Sequence, residues 1–434
     1  MCGAMRTELS NLRPAYHVTP PQGRLNDPNG MYVDGDTLHV YYQHDPGFPF
    51  TPKRTGWGHV VTQLTGPNRV QWTHLPDALY PDASYDLGGC YSGGAVFTDG
   101  SLKLFYTGNL KIDGKRHVTQ NLVDVEDPAG PLGGIHRRSP KNPLIDGPAS
   151  GFTSHYRDPM ISPDDDDGWK MVLGAQRENL TGATVLYRSV DLEEWEFSGE
   201  ITFDLQSAQP GSAPDLIPSG YMWECPNLFQ LRDEITGEDL DVLIFCPQGL
   251  NRIDQGVTHY ASSDQCGYVV GKLEGTTFHV MRGFSELDFG HEFYAPQVAV
   301  ASSDAWLIGW MGLPAQDDHP TVEQEGWVHC LTVPRKLRLR NHALYQELLL
   351  PEGAPSVTRS VLGSEPVRMD IRDNIVLEWD GARLSVDRDG DCRTVEVDPG
   401  ELVIADDNTA IEITAGNGQV SFAFRTFKGD TIEV

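Results

Sequence analysis

The chain has 434 residues, 39% of them hydrophobic, enough for two or three domains and a sizeable core, which excludes a disordered tail or a small disulfide-stapled scaffold. Its 33 Lys and Arg stand against 62 Asp and Glu, and the net charge of −29 repels nucleic acid and anionic membrane surfaces. The opening MCGAMRTELSNLRPAYH has no apolar leader core, and no stretch approaches the ~18 apolar residues of a membrane span. Seven cysteines (Cys2, Cys90, Cys225, Cys246, Cys266, Cys330, Cys392) are scattered without C-x-x-C spacing, so free thiols are expected, with no disulfide framework and no zinc site. The sum predicts a cytoplasmic protein with no membrane and no nucleic-acid partner.

Along the chain, 45 Gly, 30 Pro and abundant Tyr, Phe and Trp favour turns and strands over helices. Alternating segments joined by Asp-Gly turns begin with MYVDGDTLHVYY at Asp34-Gly35. They continue with GGAVFTDGSLKLFYTG at Asp99-Gly100 and PMISPDDDDGWKMVLGA at Asp167-Gly168. A longer period overlies the hairpins: a polar residue opening a short strand returns at Asp27, Ser92, Asp158, Glu224 and Tyr294, in steps of 65, 66, 66 and 70 residues. Each interval suits one four-stranded antiparallel sheet, so the expected fold is all-β, a five-bladed β-propeller over residues 1–345. After the connector ending in LLLPEGAP, short alternating segments such as NIVLEW, ARLSVDR, ELVIA and AIEITA predict a small C-terminal β-sandwich within 346–434.

First strands of propeller blades line the central axis, so equivalent positions in successive repeats meet at one end of it. That places Asp27, Asp158 and Glu224, three carboxylates from three blades, at one site. A single Asp-Pro is ordinarily a turn. Three acids converging in register are costly unless they are used. Glycosidic cleavage uses such a set, one carboxylate as nucleophile and one carboxylic acid to protonate the leaving oxygen. Asp27, flanked by Asn26 and Asn29, suits the nucleophile, and Glu224, beside two anions, is expected to have a raised pKa suited to the acid.

The ordered segments NDPNG (26–30), YYQ (41–43), WGH (57–59), YSGG (91–94), RDP (157–159), WECPN (223–227) and FYAPQ (293–297) resemble the motif set of glycoside hydrolase family 32, the invertases, sucrose-6-phosphate hydrolases and fructan hydrolases. The resemblance implies a retaining β-fructofuranosidase acting on sucrose or sucrose-6-phosphate, with Asp27 as nucleophile, Glu224 as acid/base and Asp158 as transition-state stabiliser. It also implies that Asn26, Gln43, Trp57, Ser92 and Arg157 line the fructose pocket, to which Tyr294 of FYAPQ is added. Transfer of the fructosyl group to another sugar, fructan hydrolysis and a carbohydrate-binding propeller without catalysis are the competing functions. Arg24-Leu25 departs from the aromatic that many members carry two residues before NDPNG.

The loop GFPFTPKRTGWGH (47–59) carries Lys53 and Arg54, which could meet the phosphate of sucrose-6-phosphate; solvated loop charges are the plainer reading. Asp164 to Asp167 lacks the spaced ligands of a calcium loop and reads as a hairpin tip. His291-Glu292 has Ala295 where a second zinc ligand would stand, and no metal or other cofactor is expected. Cys225 has no adjacent His to activate it and reads as packing behind the acid.

Overall fold

The computed structural model describes residues 12–164, 168–262, 264–354 and 356–427, so Cys2 and the Asp165–Asp167 tip lie outside the described residues. The chain is mostly β with almost no helix; the helix Pro320–Glu325 has six residues.

Five sheets of four or five strands follow one another along residues 23–348, with a small two-stranded pair, Ile253–Asp254 and Thr258–His259, within the span of the fourth. The first joins Gly23–Asp34, Thr37–Asp45, Gly56–Gln63 and Thr73–Leu79, and Trp327–Val328 pairs in parallel with its leading edge. The second is built on the hairpin of Ser101–Ile112 and Lys115–Glu126, with Ala95–Thr98 on one side and Ile135–Arg138 on the other. The third runs Phe152–Pro163, Trp169–Arg177, Gly182–Ser189, Glu196–Glu200, and the fourth is led by Met222–Arg232 and Asp239–Gln248. The fifth comprises Tyr294–Ala301, Asp304–Met311, Arg335–Arg340 and Ala343–Leu348. Its last strand pairs Arg335 with Leu348, so this sheet continues three residues past the boundary expected at 345. The tight hairpins come from local chemistry: Asp99-Gly100 and Asp113-Gly114 both take positive φ, the two-residue turn whose twist matches paired strands.

Beyond residue 356, two four-stranded sheets face each other across one apolar core, in which Ile375, Leu377 and Trp379 meet Ile404, Ile411 and Phe422. Buried ions tie these sheets to the preceding ones. Arg335, fully buried, donates through Nη1 to Asp288 at 2.8 Å and through Nε to Glu412 at 2.8 Å, and His17 bridges Glu412 and Asp407 at 3.0 and 2.8 Å. Removing one partner would strand a buried charge, so this joint is specified by charge as well as by apolar packing. Cys90, Cys225, Cys246, Cys266 and Cys330 are buried free thiols and Cys392 is an exposed one. No helix among the described residues is long and apolar enough to cross a membrane.

The histidines make stability depend on pH in a defined direction. Burial lowers His39, His136 and His319 to about 4 and His291 to about 3, and holds His59 and His329 well below their ordinary value. Below pH 6.5 the unfolded chain therefore binds more protons than the folded one, and stability falls as pH falls toward 4, by about 1.4 kcal/mol per pH unit for each such proton. His17 runs the other way: Asp407 and Glu412 overcome burial and raise it to about 9, a stabilisation complete below 6.5 and lost as pH rises through 9. Thermal unfolding between pH 4.5 and 8.5 is expected to give the highest Tm near pH 6.5, with the steep loss on the acid side; a flat profile from 6.5 down to 5 would contradict this account.

Candidate active site

Four of the five leading strands share one irregularity. Pairing register slips between Leu25 and Pro28, Arg157 and Met160, Glu224 and Asn227, and Tyr294 and Gln297. Each slip spans an X-Pro step, where the ring has no N–H to give the ladder. The residue before proline takes positive φ at Asp158 (67°), Cys225 (46°) and Ala295 (47°), a conformation costly for side chains other than Gly. Such a bulge breaks strict alternation, so two consecutive side chains turn into one site. Asn26 and Asp27, Arg157 and Asp158, and Glu224 and Cys225 all enter it in this way, as their mutual contacts show.

Asp27 is gripped on both oxygens. Oδ1 accepts from Asn26 Nδ2 at 3.0 Å; Oδ2 accepts from the Ser92 hydroxyl and, at 3.3 Å, from Gln43 Nε2. The donors are themselves linked, Asn26 Nδ2 to Gln43 Oε1 at 2.7 Å and Gln43 Nε2 to Ser92 Oγ at 2.5 Å. Asp158 accepts the Cys225 N–H at 3.0 Å and gives its own N–H to Thr107 Oγ1 at 2.9 Å. Glu224 accepts from Arg157 Nε at 2.9 Å and Nη2 on one oxygen and from the Tyr294 hydroxyl at 2.6 Å on the other. The Cys225 thiol lies 3.6 Å from Asp158 and 4.0 Å from Asp27, wedged between carboxylates, and burial raises its pKa well above the ordinary thiol value, which disfavours the reactive thiolate.

The ionisation pattern reverses one expectation. Burial outweighs the Arg157 charge and raises Asp158 to about 7. Burial also raises Asp27, against the donors Ser92 and Asn26 and the Arg24 charge. Glu224, expected to be raised by its anionic neighbours, is instead lowered: burial pushes it up, but the Arg157 guanidinium and the Tyr294 hydroxyl outweigh that push. The sequence showed the neighbouring acids, whereas the side chain that captures Glu224 is the Arg turned inward by its own bulge.

Trp57, expected to offer an apolar face to sugar, is fully buried among Tyr41, Leu79 and Tyr106, with its indole N–H donating 3.1 Å to the Tyr91 carbonyl. Its contact with the site is therefore indirect, through the Tyr91–Ser92 backbone. Lys53 and Arg54 are exposed; Lys53 is within electrostatic reach of Arg24, Asp27, Asp317 and Asp45, while Arg54 lies near Tyr80. Among the described residues no group of three or more His, Cys, Asp or Glu is arranged to hold a metal ion.

Arg24, which the motif pattern marked only as a departure, is hydrogen-bonded into the site. It stacks 5.3 Å over Trp310, donates 2.8 Å to Asp317 through Nε and 2.5 Å to the Asn26 side-chain Oδ1 through Nη1. Asp317 is held from behind by His329 at 2.8 Å, whose ring meets that of His319, and His319 accepts from Arg425 of the C-terminal sheets at 3.1 Å. Arg24 fixes the amide that donates to Asp27 and supplies a nearby positive charge. Arg24→Leu is expected to cut kcat/KM about tenfold and to move its acid limb to higher pH, because Asp27 loses a stabiliser of its ionised form. Arg24→Lys should restore part of the shift, and an acid limb unmoved in Arg24→Leu would refute the coupling.

Carboxylates that can serve as nucleophile and acid, ringed by amide, hydroxyl and guanidinium donors, define the class of glycoside hydrolases. Residues 17–348 match the Glycosyl hydrolases family 32 N-terminal domain, and the chain belongs to that family. It is 39% identical over 343 residues to the sucrose-6-phosphate hydrolase of Bacillus subtilis (strain 168), a match covering 78% of this chain and 65% of that relative. It is 35% identical over 445 residues to the sucrose-6-phosphate hydrolase of Klebsiella pneumoniae, over 96% of this chain and 89% of that one. The structure of sucrose-6-phosphate hydrolase from Lactobacillus gasseri superposes with a TM-score of 0.78 at 27% identity, covering 96% of this chain and 89% of the other. The chain spans just under two thirds of the length of the first of these relatives.

Proposed function

We propose that the protein is a retaining β-fructofuranosidase that hydrolyses the fructosyl bond of sucrose or sucrose-6-phosphate in the cytoplasm. On this reading the five sheets up to Leu348 are the blades of a catalytic propeller and the two later sheets a separate sandwich domain. The observation that carries it is the meeting of Asp27, Asp158 and Glu224, from the first, third and fourth sheets: the Cys225 thiol touches both Asp27 and Asp158, and Arg157, next to Asp158, holds Glu224. The names of the relatives supply the sugar.

Asp27 attacks the anomeric carbon of the fructosyl unit while Glu224 gives its proton to the bridging oxygen, so the carbon–oxygen bond breaks and the partner sugar leaves as an alcohol. Water then attacks the fructosyl ester, its proton passing to the Glu224 carboxylate, and Asp27 is released. Asp158, supported by Arg157, Asn26, Gln43 and Ser92, binds the furanose hydroxyls and strengthens its hold as the ring gains positive charge. This chemistry needs Asp27 ionised and Glu224 protonated, the reverse of the directions in which burial pushes Asp27 and the Arg157 and Tyr294 donors push Glu224. Sugar hydroxyls resolve the conflict by competing for the Arg157 guanidinium. Once Arg157 turns to them, the burial of Glu224 is no longer offset and its proton affinity rises.

Release of fructose by the purified protein from sucrose, sucrose-6-phosphate, raffinose and inulin tests the assignment. Cleavage of the first two ahead of inulin is expected, with free fructose rather than longer oligosaccharides as product. No fructose from any of the four overturns the reading, and oligosaccharides in place of fructose reassign it to transfer.

A further inference from the structure

If Glu224 is the acid, the leaving sugar lies on its side of the site, and the side chains overhanging that flank read what the leaving sugar carries. This inference rests on the proposed function and asks which cation, on a chain of net charge −29, receives a phosphate there.

The hairpin of Ser101–Ile112 and Lys115–Glu126 answers it through register. Thr107 pairs with Gln120 and Lys111 with Arg116, so side chains 107, 109 and 111 share one face with 116, 118 and 120. That face is fixed at its inner end: Thr107 accepts the Asp158 N–H at 2.9 Å, Gln120 donates 3.2 Å to the Tyr156 carbonyl, and Thr107 donates 2.7 Å to Gln120. Val118, the next position outward, is buried against the third sheet with Tyr156. Arg116 lies four residues beyond Gln120, about 13 Å along the strand, and so stands over the Arg157–Asp158 edge with Lys111 opposite it. The turn that sends the chain back is Asp113-Gly114, which fixes both cations at the tip. Arg116 is half-buried, and its surroundings are Arg157, Tyr91, Glu224 and Asp158.

The other cations near the site are worse placed. Arg157 is held by Glu224 and Arg24 by Asp317, whereas Arg116 has no salt bridge among the described residues. Lys53 has Asp27, Asp45 and Asp317 as well as Arg24 around it, so three carboxylates face any dianion there, and Arg54 lies near Tyr80.

We propose that Arg116, seconded by Lys111, binds the phosphate monoester on the leaving sugar and so sets the preference for a 6-phosphorylated substrate over sucrose itself. A planar guanidinium can give two parallel N–H donors to one phosphate.

The test is the ratio of kcat/KM on sucrose-6-phosphate to kcat/KM on sucrose, in wild type, Arg116→Gln, Arg116→Lys and the double variant Lys53→Gln/Arg54→Gln, with thermal unfolding to confirm that each is folded. The wild-type ratio should exceed one. It should fall about 10- to 100-fold in Arg116→Gln, as expected for losing hydrogen bonds to a charged group, and less in Arg116→Lys. The double variant should keep the wild-type ratio. A wild-type ratio of one, a ratio unchanged in Arg116→Gln, or a collapse confined to the Lys53/Arg54 variant overturns the assignment while the hydrolase reading stands. A wild type inactive on both sugars overturns the hydrolase reading, and this inference with it.

Discussion

Replacing Asp27 by Asn is expected to lower kcat on sucrose by about 10⁴-fold or more while leaving the protein folded. The substitution keeps the size of the side chain and removes only the charge that attacks the anomeric carbon. An amide can still accept from Ser92 through its oxygen, but its NH₂ then faces Asn26 Nδ2, itself a donor, so one contact of 3.0 Å becomes repulsive. Stability should change little, because the lost hydrogen bond is offset by removing a buried carboxylate whose ionisation burial already disfavours. Initial rates on sucrose with Tm as a control decide the matter. An Asp27→Asn variant within tenfold of wild type would remove Asp27 from the role of nucleophile, and a large loss of Tm would shift the explanation from chemistry to folding.

How much of this site the sequence discloses depends on which physical signal each residue leaves. The spacing of Asp27, Ser92, Asp158, Glu224 and Tyr294 is legible because each sits on or just before the leading strand of one sheet. What spacing alone conceals is the bulge. Taking the repeats in strict alternation points one residue of each pair inward, yet Arg157 and Asp158 both enter, as do Glu224 and Cys225. The proline that follows each pair was the available signal, since it interrupts the ladder where the register slips. The pKa of Glu224 went the wrong way for the same reason: neighbouring acids could be counted, but the Arg that pairs with Glu224 comes from another sheet. Trp57 illustrates the converse error, since an aromatic in a motif says nothing of which face is covered, and Tyr41, Leu79 and Tyr106 cover this one. Arg24 and Asp317 lie 293 residues apart and meet only in three dimensions. Arg116 was within reach of the sequence: a Lys-x-Asp-Gly-Lys-Arg hairpin tip in so acidic a chain is an anomaly of charge.

Glu224→Gln is expected to cost 10²- to 10⁴-fold in kcat on sucrose, and the form of the loss distinguishes an acid from a mere contact. The glucose unit of sucrose leaves as a poorly acidic alcohol and needs the proton in the transition state, whereas the phenol of an aryl fructoside does not. The deficit of Glu224→Gln should therefore shrink sharply on the aryl substrate. The alkaline limb of kcat/KM, which reports loss of the acid's proton in the free enzyme, should disappear in the same variant. Its position in the wild type follows from the neighbours: Arg157 and the Tyr294 hydroxyl both hold Glu224 below its burial-raised tendency, so removing either should move the limb upward in pH. Tyr294→Phe is the cleaner probe, because it deletes one 2.6 Å donor to Oε2 and leaves the guanidinium that the sugar also needs. An alkaline limb that stays in place in Tyr294→Phe and persists in Glu224→Gln would assign it to another group, and an equal loss on both substrates would remove Glu224 from the proton transfer.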